Sequence, residues 1–206
     1  GHAADLAART ALLLSAYFLA GLAVVGAALG RLTPLERLWV PVAVGFTTLG
    51  VLTTSLAYVL PVRTAFPLVV AALVVAGALG LRGRVAEVRG LLRAAVPRQA
   101  GWGFPALTAV LSAAVMFFPA LLEDGWYLGH SYIDVWYYTN LPQQFLHAPM
   151  TGVASTATTL RYAELVSLAV SSIILGSDTR SVFAVQALAL WATVPFLTAA
   201  LLRRLG

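Results

Sequence analysis

Long apolar runs, separated by isolated arginines, limit this chain to one class of fold. Several runs approach the roughly 20 residues that an α-helix needs to cross about 30 Å of hydrocarbon. Only 10% of the 206 residues are charged and the mean hydropathy is +0.88, whereas a soluble domain has about 25% charged residues. Because lipid offers no hydrogen bonds, such runs must satisfy their backbone groups internally, as helices. We therefore predict an all-α polytopic transmembrane helix bundle with about six spanning helices and additional interfacial helices.

Six apolar runs are long enough, or nearly long enough, to be spans. They cover residues 10–30, 38–60, 64–81, 101–122, 162–176 and 181–202. The fifth run has only about 15 residues, which reach roughly 22 Å at 1.5 Å per residue. It therefore needs a thinned bilayer, protein neighbours or an extension into its flanks.

The fifth run also carries a polar stripe. Glu164, Ser167 and Ser171 recur at spacings of three and four, which places a carboxylate and two hydroxyls on one helical face. In a bilayer this face should turn toward protein or toward a water-filled cavity. Helix packing is a more common reason for such a stripe than a substrate path, and it is the interpretation that we favour.

Glycines in the first two runs follow no regular pattern. Gly21, Gly26, Gly45 and Gly50 are spaced too irregularly for a repeated face of small residues, although Gly26 and Gly30 do have the spacing of a small-xxx-small contact. No helix-packing face is therefore predicted from these glycines.

The segment between the third and fourth runs is the most basic part of the chain. Residues 82–98 contain five arginines against one acid, Glu87. Four apolar residues recur there at helical spacing: Val85, Val88, Leu92 and Val96. We expect an amphipathic helix that lies in the membrane interface, does not span, and ends at Pro97. We divide the chain after it, into N-terminal transmembrane helices with this basic helix (1–100) and a second part (101–206).

The distribution of arginines predicts the orientation. If residues 82–98 are cytoplasmic, six alternating spans place eight of the thirteen arginines on that side and five on the other. The five are Arg9, Arg63, Arg161, Arg203 and Arg204. The positive-inside rule favours this orientation, so residues 123–162 should form an extracytoplasmic loop of a multi-pass cell-membrane protein. Single arginines at the ends of apolar runs also favour contacts with membrane lipids and argue against a nucleic-acid partner.

Loop 123–162 is the only polar stretch large enough to form a site. Its candidate residues are the acids Glu123, Asp124 and Asp134, the basic residues His130 and Arg161, and the aromatic residues Trp136, Tyr137 and Tyr138. The aromatic residues also fit the ordinary belt along a membrane surface, and both interpretations stay open. Asp134 lies within an apolar and aromatic run, where an unpaired carboxylate is costly to bury. A functional role is therefore favoured for Asp134 over a structural pairing with an arginine.

The second part of the chain contains an ordered series of motifs. A span is followed by acids at the start of an external loop, by Asp-Val-Trp-Tyr-Tyr at 134–138, by Arg-Tyr at 161–162 and by Leu-Gly-Ser-Asp at 175–178. This series resembles the N-terminal portion of a GT-C glycosyltransferase. The preceding spans, the basic linker and the arginine-only, Ala/Leu/Val-rich composition are similar to those of actinobacterial arabinofuranosyltransferases. The resemblance implies a GT-C-like core at 101–206 that begins with loop 123–162.

The resemblance also implies a reaction. A sugar would pass from a polyprenyl-phosphate donor to a glycan or lipid acceptor of the cell envelope, with Asp134 as the catalytic carboxylate and Glu123 and Asp124 as its competitors. Arg161 would bind the donor phosphate, although an interfacial anchor is the more common role of an arginine at a helix end. The other substrate contacts would be His130, Trp136, Tyr137 and Tyr138. No metal ligand is assigned, and a divalent cation stays an open alternative.

Two features depart from the resemblance. Pro142 falls where an uninterrupted surface helix is expected, so we expect a break there, with Asn140 capping a second short helix. The family normally has more than six spans, and this chain opens without Met and stops directly after an apolar run. We therefore expect it to be part of a longer protein, whose C-terminal part or other membrane subunits would be partners.

Two other functions stay open. The chain could be a transporter segment in which Asp134 and Glu164 line a substrate or proton path, although no inverted repeat is visible. It could also be a non-catalytic membrane scaffold subunit of a larger complex. An intramembrane protease or a P-loop enzyme is disfavoured because the corresponding motifs do not occur.

Overall fold

The computed structural model describes residues 2–95, 102–122, 140–153 and 162–205, and all regular structure in these ranges is helical. The all-α prediction is thus confirmed for this part of the chain. The helices are α1 (His2–Val25), α2 (Pro34–Ala57), α3 (Val62–Gly80), α4 (Val85–Ala95), α5 (Gly103–Leu122), α6 (140–145), α7 (Met150–Val153), α8 (Tyr162–Leu175) and α9 (Thr179–Leu205), with a 3₁₀ segment at Gly26–Arg31.

Four stretches are long and apolar enough to cross a membrane. They are Ala4–Arg31, Pro34–Ala57, Val62–Gly80 and Ser181–Leu205, and they correspond to the first, second, third and sixth predicted spans. The fourth and fifth predicted spans correspond to shorter apolar helical stretches in the described residues, Gly103–Val115 and Ala163–Leu175. The described residues therefore form a helical bundle with four candidate membrane-spanning helices.

Helices α1 and α2 pack with their backbones in contact. A Cβ atom added to Gly21 would lie 1.8 Å from the carbonyl oxygen of Pro41, and one added to Gly45 would lie 1.8 Å from the carbonyl oxygen of Tyr17. No side chain larger than hydrogen fits at either position. Small residues permit such close approach between membrane helices, where dispersion contacts and close backbone packing replace the hydrophobic effect. The sequence did not predict this pair of glycines. Each glycine faces the backbone of the other helix, and neither belongs to a regular glycine spacing within its own helix.

The first turn of α2 is anchored at its own end and to α9. Thr33 and Glu36 form a capping box, in which the Thr33 amide donates to Glu36 Oε2 at 2.8 Å. The Arg204 guanidinium near the end of α9 pairs with the same carboxylate through Nε to Oε1 and through Nη2 to Oε2, the latter at 3.0 Å. Glu36 is 4% exposed. The ion pair therefore joins the end of α9 to the start of α2.

We expect Arg204→Gln and Glu36→Gln to destabilise the protein individually, and the double variant to lose less than the sum. The Arg204 side chain is 55% exposed, so water screens part of the attraction, and we expect a small but measurable coupling free energy. The measurement is the free energy of unfolding in mixed micelles for the four members of the cycle. Strictly additive losses would show that the pair contributes no stability.

Long-range hydrogen bonds show which helix ends lie together. Arg9 Nη1 in α1 donates to Ser177 Oγ, just after α8, at 2.9 Å. Thr151 Oγ1 in α7 donates to the carbonyl of Tyr58, just after α2, at 2.8 Å. The starts of α1 and α3 and the ends of α2 and α8 therefore lie at one end of the bundle, the Arg9 end. The opposite end, the α4 end, holds α4 and the Glu36–Arg204 pair.

The position of α8 corrects the predicted topology. The turn that joins α8 to α9 lies at the Arg9 end, and Gly176 occupies the left-handed region there with φ +59°. Helix α9 then runs to the α4 end. The prediction had these helices crossing in the opposite directions. With 14 residues, α8 is about 21 Å long and reaches only part of the way through the bundle.

The correction changes the distribution of arginines. Arg203 and Arg204 lie at the α4 end, and Arg180 at the Arg9 end, each opposite to its predicted side. Of the eleven arginines in the described ranges, eight lie at the α4 end and three at the Arg9 end. The asymmetry between the two ends is therefore larger than the predicted topology implied.

The basic linker forms the expected helix. Helix α4 has 11 residues and is too short to span. Val88 and Ala95 are buried, while Arg89 and Arg93 are exposed. Arg84 connects the linker to the 3₁₀ segment through the Ala27 carbonyl at 2.9 Å, and its guanidinium, paired with Glu87 at 3.0 Å, lowers the pKa of that carboxyl. A short helix with one buried face is confirmed, but Val85 of the predicted stripe is exposed. Val96 and the predicted end at Pro97 lie outside the described residues, and the place of the helix in a membrane interface stays a prediction.

Candidate functional site

The predicted site residues lie outside the residues that the structure describes. They are Glu123, Asp124, His130, Asp134, Trp136, Tyr137, Tyr138 and Arg161. Their assignments therefore stay predictions. The site has to be examined through the described residues that flank this segment.

Helices α6 and α7 lie between the two undescribed parts of the predicted loop. Their buried residues Leu141, Phe145 and Met150 share one apolar core with Leu165 and Ala169 of α8. Through Tyr58 and Thr151 this core lies at the Arg9 end. The described part of loop 123–162 is therefore attached to the Arg9 end of the bundle.

Pro142 lies in a short described helix. Residues 140–145 are helical, so Asn140 belongs to this helix and does not cap a later one. The Pro142 carbonyl accepts a hydrogen bond from the Leu146 amide at 3.2 Å, which continues the helical pattern into a turn. Proline disturbs a helix on its N-terminal side, and the residues before Asn140 lie outside the described part of the chain, so the expected break stays a prediction.

A polar cavity of about 570 Å³ opens at the Arg9 end, between α3, α6 and the turn after α8. We call it the Arg63 pocket. Its polar lining residues are Arg63, Gln143, Ser172, Ser177 and Asp178. The Oε1 atom of Gln143 is buried and has no hydrogen-bond partner among the described residues. A buried acceptor of this kind is costly unless a donor reaches it.

The charged residues around this pocket are engaged to different degrees. Arg9 is paired with Asp5 at 2.9 Å and bonded to Ser177, and Asp178 Oδ1 accepts the Ser181 amide in the first turn of α9 at 2.8 Å. Arg63 is exposed, and no described acidic side chain lies within ion-pair distance of it. In the described part of the pocket, Arg63 is the cation that can receive an anionic ligand.

A second polar group lies inside the bundle. Tyr17 Oη of α1 lies 2.8 Å from Ser171 Oγ of α8, and Ser171 Oγ lies 2.7 Å from Gln186 Oε1 of α9. Gln186 Nε2 donates to Ser167 Oγ at 2.8 Å. All four side chains are buried. Ser167 and Ser171 of the predicted polar stripe therefore turn toward protein, and they join α8 to α1 and α9, whereas Glu164 of the same stripe is exposed.

One edge of this network faces a cavity of about 460 Å³ between α2, α8 and α9. Glu164, Ser167 and Gln186 line it from one side, and Thr47 and Gly50 line it from the other. Thr47 lies about 20 Å along α2 from Pro34, so the cavity is near the middle of that helix. Glu164, which is exposed, thus lines a cavity beside this network.

A third cavity is an apolar groove of about 530 Å³ between α1 and α3. Leu19 and Ala20 line one wall, and Val70 and Val74 line the other. Leu19 and Val74 are both 65% exposed, so the groove opens on the outer surface of the bundle. We call it the α1–α3 groove.

No three His, Asp or Glu side chains in the described ranges are close enough together to hold a metal ion. Comparisons with known protein families, with curated protein sequences and with solved structures find no match for this chain.

The sequence did not single out four residues that belong to the buried polar network or to the Arg63 pocket in the structure. Tyr17 and Gln186 are polar side chains within predicted spans, and that position alone could have marked them. Gln143 and Arg63 had no such signal. Gln143 is an ordinary loop residue in the sequence, and Arg63 is one of several arginines at the end of an apolar run.

Proposed function

We propose that this chain is the N-terminal portion of an integral-membrane glycosyltransferase that transfers a sugar from a polyprenyl-phosphate donor to a glycan or lipid acceptor of the cell envelope. The observation that carries the proposal is the distribution of arginines, with eight at the α4 end and three at the Arg9 end. The positive-inside rule then places the α4 end in the cytoplasm and the Arg9 end outside. The described part of loop 123–162 lies at the Arg9 end, and the resemblance expects the active site of a GT-C enzyme on the extracytoplasmic side.

The chemistry of this end supports the proposal. Loop 123–162 contains three carboxylates, and the Arg63 pocket beside its described part adds a cation and hydrogen-bonding groups. A glycosyl transfer from a lipid phosphate needs both, because a base must accept a proton while a phosphate leaves with negative charge.

In the proposed reaction the acceptor hydroxyl oxygen attacks the anomeric carbon of the donor. Asp134 takes the hydroxyl proton, and Glu123 and Asp124 are the alternative bases. The bond between the anomeric carbon and the phosphate oxygen breaks, and the polyprenyl phosphate leaves with that electron pair. Arg161 stabilises the phosphate, and His130, Trp136, Tyr137 and Tyr138 contact the sugars.

A transporter segment is the second candidate, and one observation favours it. Glu164 lines a cavity near the middle of α2 together with Ser167 and Gln186. Protonatable groups inside a membrane often mark ion or proton paths. Transport along this path would require Glu164, whereas sugar transfer would not, so Glu164→Gln separates the two functions.

The proposed function is tested by a transfer assay on the full-length protein in membranes. A radiolabelled polyprenyl-phosphate sugar is supplied with cell-envelope acceptor, and we expect label in the acceptor fraction. Membranes prepared without the protein give the background. Absence of transfer from every polyprenyl-phosphate sugar supplied would exclude the enzyme.

The orientation is tested by cysteine labelling, which is direct because the chain has no cysteine. We expect Gln144→Cys and Asp178→Cys to react with a membrane-impermeant maleimide in intact cells, and Arg89→Cys to react only after the membrane is opened. All three positions are exposed. Labelling of Asp178→Cys distinguishes the observed topology from the predicted one, because six alternating spans would place residue 178 in the cytoplasm. Labelling of Arg89→Cys from outside would reverse the orientation.

A further inference from the structure

The Arg63 pocket and the α1–α3 groove adjoin one another. Arg63 lines the pocket and Phe66, one helical turn further along α3, lines the groove. On α8 the neighbours Ile173 and Ile174 likewise line the pocket and the groove, respectively. The polar pocket at the Arg9 end and the apolar groove therefore lie next to one another along α3 and α8.

The groove continues from this corner along the bundle. On α3 its lining extends from Phe66 to Leu81, a distance of about 22 Å. That length is most of the thickness of a bilayer's hydrocarbon core, about 30 Å. The α1 wall consists of aliphatic side chains. At Gly77 the helices approach so closely that an added Cβ would lie 3.1 Å from Ala23 Cβ, which closes the back of the groove.

The pocket has the chemistry of a head-group site. Arg63 can bind a phosphate, as guanidinium groups commonly do. Gln143 Oε1 lacks a hydrogen-bond donor among the described residues, and a sugar hydroxyl would supply one. The carboxylate in the pocket, Asp178, already accepts the Ser181 amide at the start of α9, where the helix dipole favours a negative charge.

From this juxtaposition we propose that the α1–α3 groove and the Arg63 pocket together hold one lipid, a polyprenyl phosphate carrying a sugar. Its apolar chain lies between α1 and α3, its phosphate contacts Arg63, and its sugar contacts Gln143. This inference rests on the proposed function and adds to it a binding site formed by residues that the resemblance does not assign. A single ligand accounts for the long apolar groove, the cation and the unsatisfied acceptor.

The groove is tested by photo-crosslinking in vesicles of phosphatidylcholine that contain the full-length protein and a synthetic polyprenyl-phosphate sugar. The crosslinker p-benzoylphenylalanine replaces Val74, which lines the groove, or its neighbour Val75, which is 59% exposed but does not line it. We expect a lipid adduct from position 74 and only background from position 75. Equal adducts from both positions would overturn the groove as a binding site.

Two matched pairs of variants test the compartments separately. Arg63→Gln should reduce the adduct about tenfold, the loss expected for a charged hydrogen bond, while Arg82→Gln at the α4 end should not change it. Ala78→Trp fills the groove and should abolish the adduct, whereas Ala76→Trp, on an exposed part of α3 outside the groove, should not. Monodisperse elution of each purified variant confirms that it is folded. Each control variant introduces the same residue type as the variant that it matches, at a different position. An adduct that is insensitive to Arg63→Gln would overturn the proposed phosphate contact.

Other lipids are substituted in the crosslinking assay to identify which lipid the site binds. Polyprenol without phosphate should give a weak adduct that Arg63→Gln does not change. If phosphatidylglycerol gives an equal adduct, the groove holds bulk phospholipid and the proposal is wrong. Transfer activity is measured on the same preparations, so the two hypotheses fail separately. Specific crosslinking without transfer would leave the lipid site and exclude the enzyme, and transfer that survives Ala78→Trp and Arg63→Gln would exclude the site and leave the enzyme.

Discussion

Asp134→Asn should lower sugar transfer by the full-length protein by about 10² to 10⁴, the range of general-base catalysis. The substitution keeps the shape of the side chain and removes the charge that accepts the acceptor's proton. Donor binding, measured by the crosslinking yield at position 74, should stay near the wild-type value. The readout is therefore the rate of transfer at saturating donor, compared with the adduct yield.

The neighbouring acids provide controls for this prediction. Glu123→Gln and Asp124→Asn remove a carboxylate from the same loop, and we expect each to retain most of the activity. If Asp134→Asn turns over normally while one of these variants is inactive, the base is the other carboxylate. If Asp134→Asn no longer elutes as a folded protein, the carboxylate has the structural role that the sequence left open.

Gly45→Ala should destabilise the bundle by about 3 kcal/mol, at the upper end of the usual cost of overpacking. The added methyl group would lie 1.8 Å from the carbonyl oxygen of Tyr17, and a backbone atom cannot move aside as a flexible side chain would. Helices α1 and α2 must therefore separate. We expect a large decrease in the thermal midpoint in detergent.

Gly50→Ala is the matched control, five residues further along the same helix. An alanine Cβ at Gly50 meets no other atom within 4 Å. Alanine is favoured over glycine in a helix interior by about 1 kcal/mol, so this variant should be as stable as the wild type or slightly more stable. Equal destabilisation of the two variants would show that the loss at Gly45 reflects glycine replacement in general and not contact with α1.

Spans that are delimited by charge were predictable from the sequence. Helix α2 occupies Pro34–Ala57 where 38–60 was expected, and α9 occupies Thr179–Leu205 where 181–202 was expected. The amphipathic α4 was also predictable, because its apolar spacing and arginines are local features. Helices α2, α4 and α9 could be predicted because each depends on the residues of a single continuous segment.

The direction of α8 was not predictable in the same way. An apolar run of this length fits either a short membrane span or a helix that reaches only part of the way through the bundle. The hydrogen bond between Arg9 and Ser177 distinguishes these two arrangements, because it places the end of α8 at the Arg9 end. The Arg63 pocket depends on the same turn, since Gly176, Ser177 and Asp178 line it. Elements far apart in sequence form this site, so no local pattern marks it.

The helix contacts differ in the time at which synthesis makes them available. Helices α1 and α2 are consecutive, so Gly21 and Gly45 can meet as soon as the second helix has entered the membrane. Glu36 belongs to that early hairpin, but Arg204 is synthesised 168 residues later. Until then only its own helix cap holds the carboxylate. The nascent hairpin therefore exposes an unneutralised acid, which a membrane chaperone or protease could use to distinguish an unfinished chain from one whose last helix has docked.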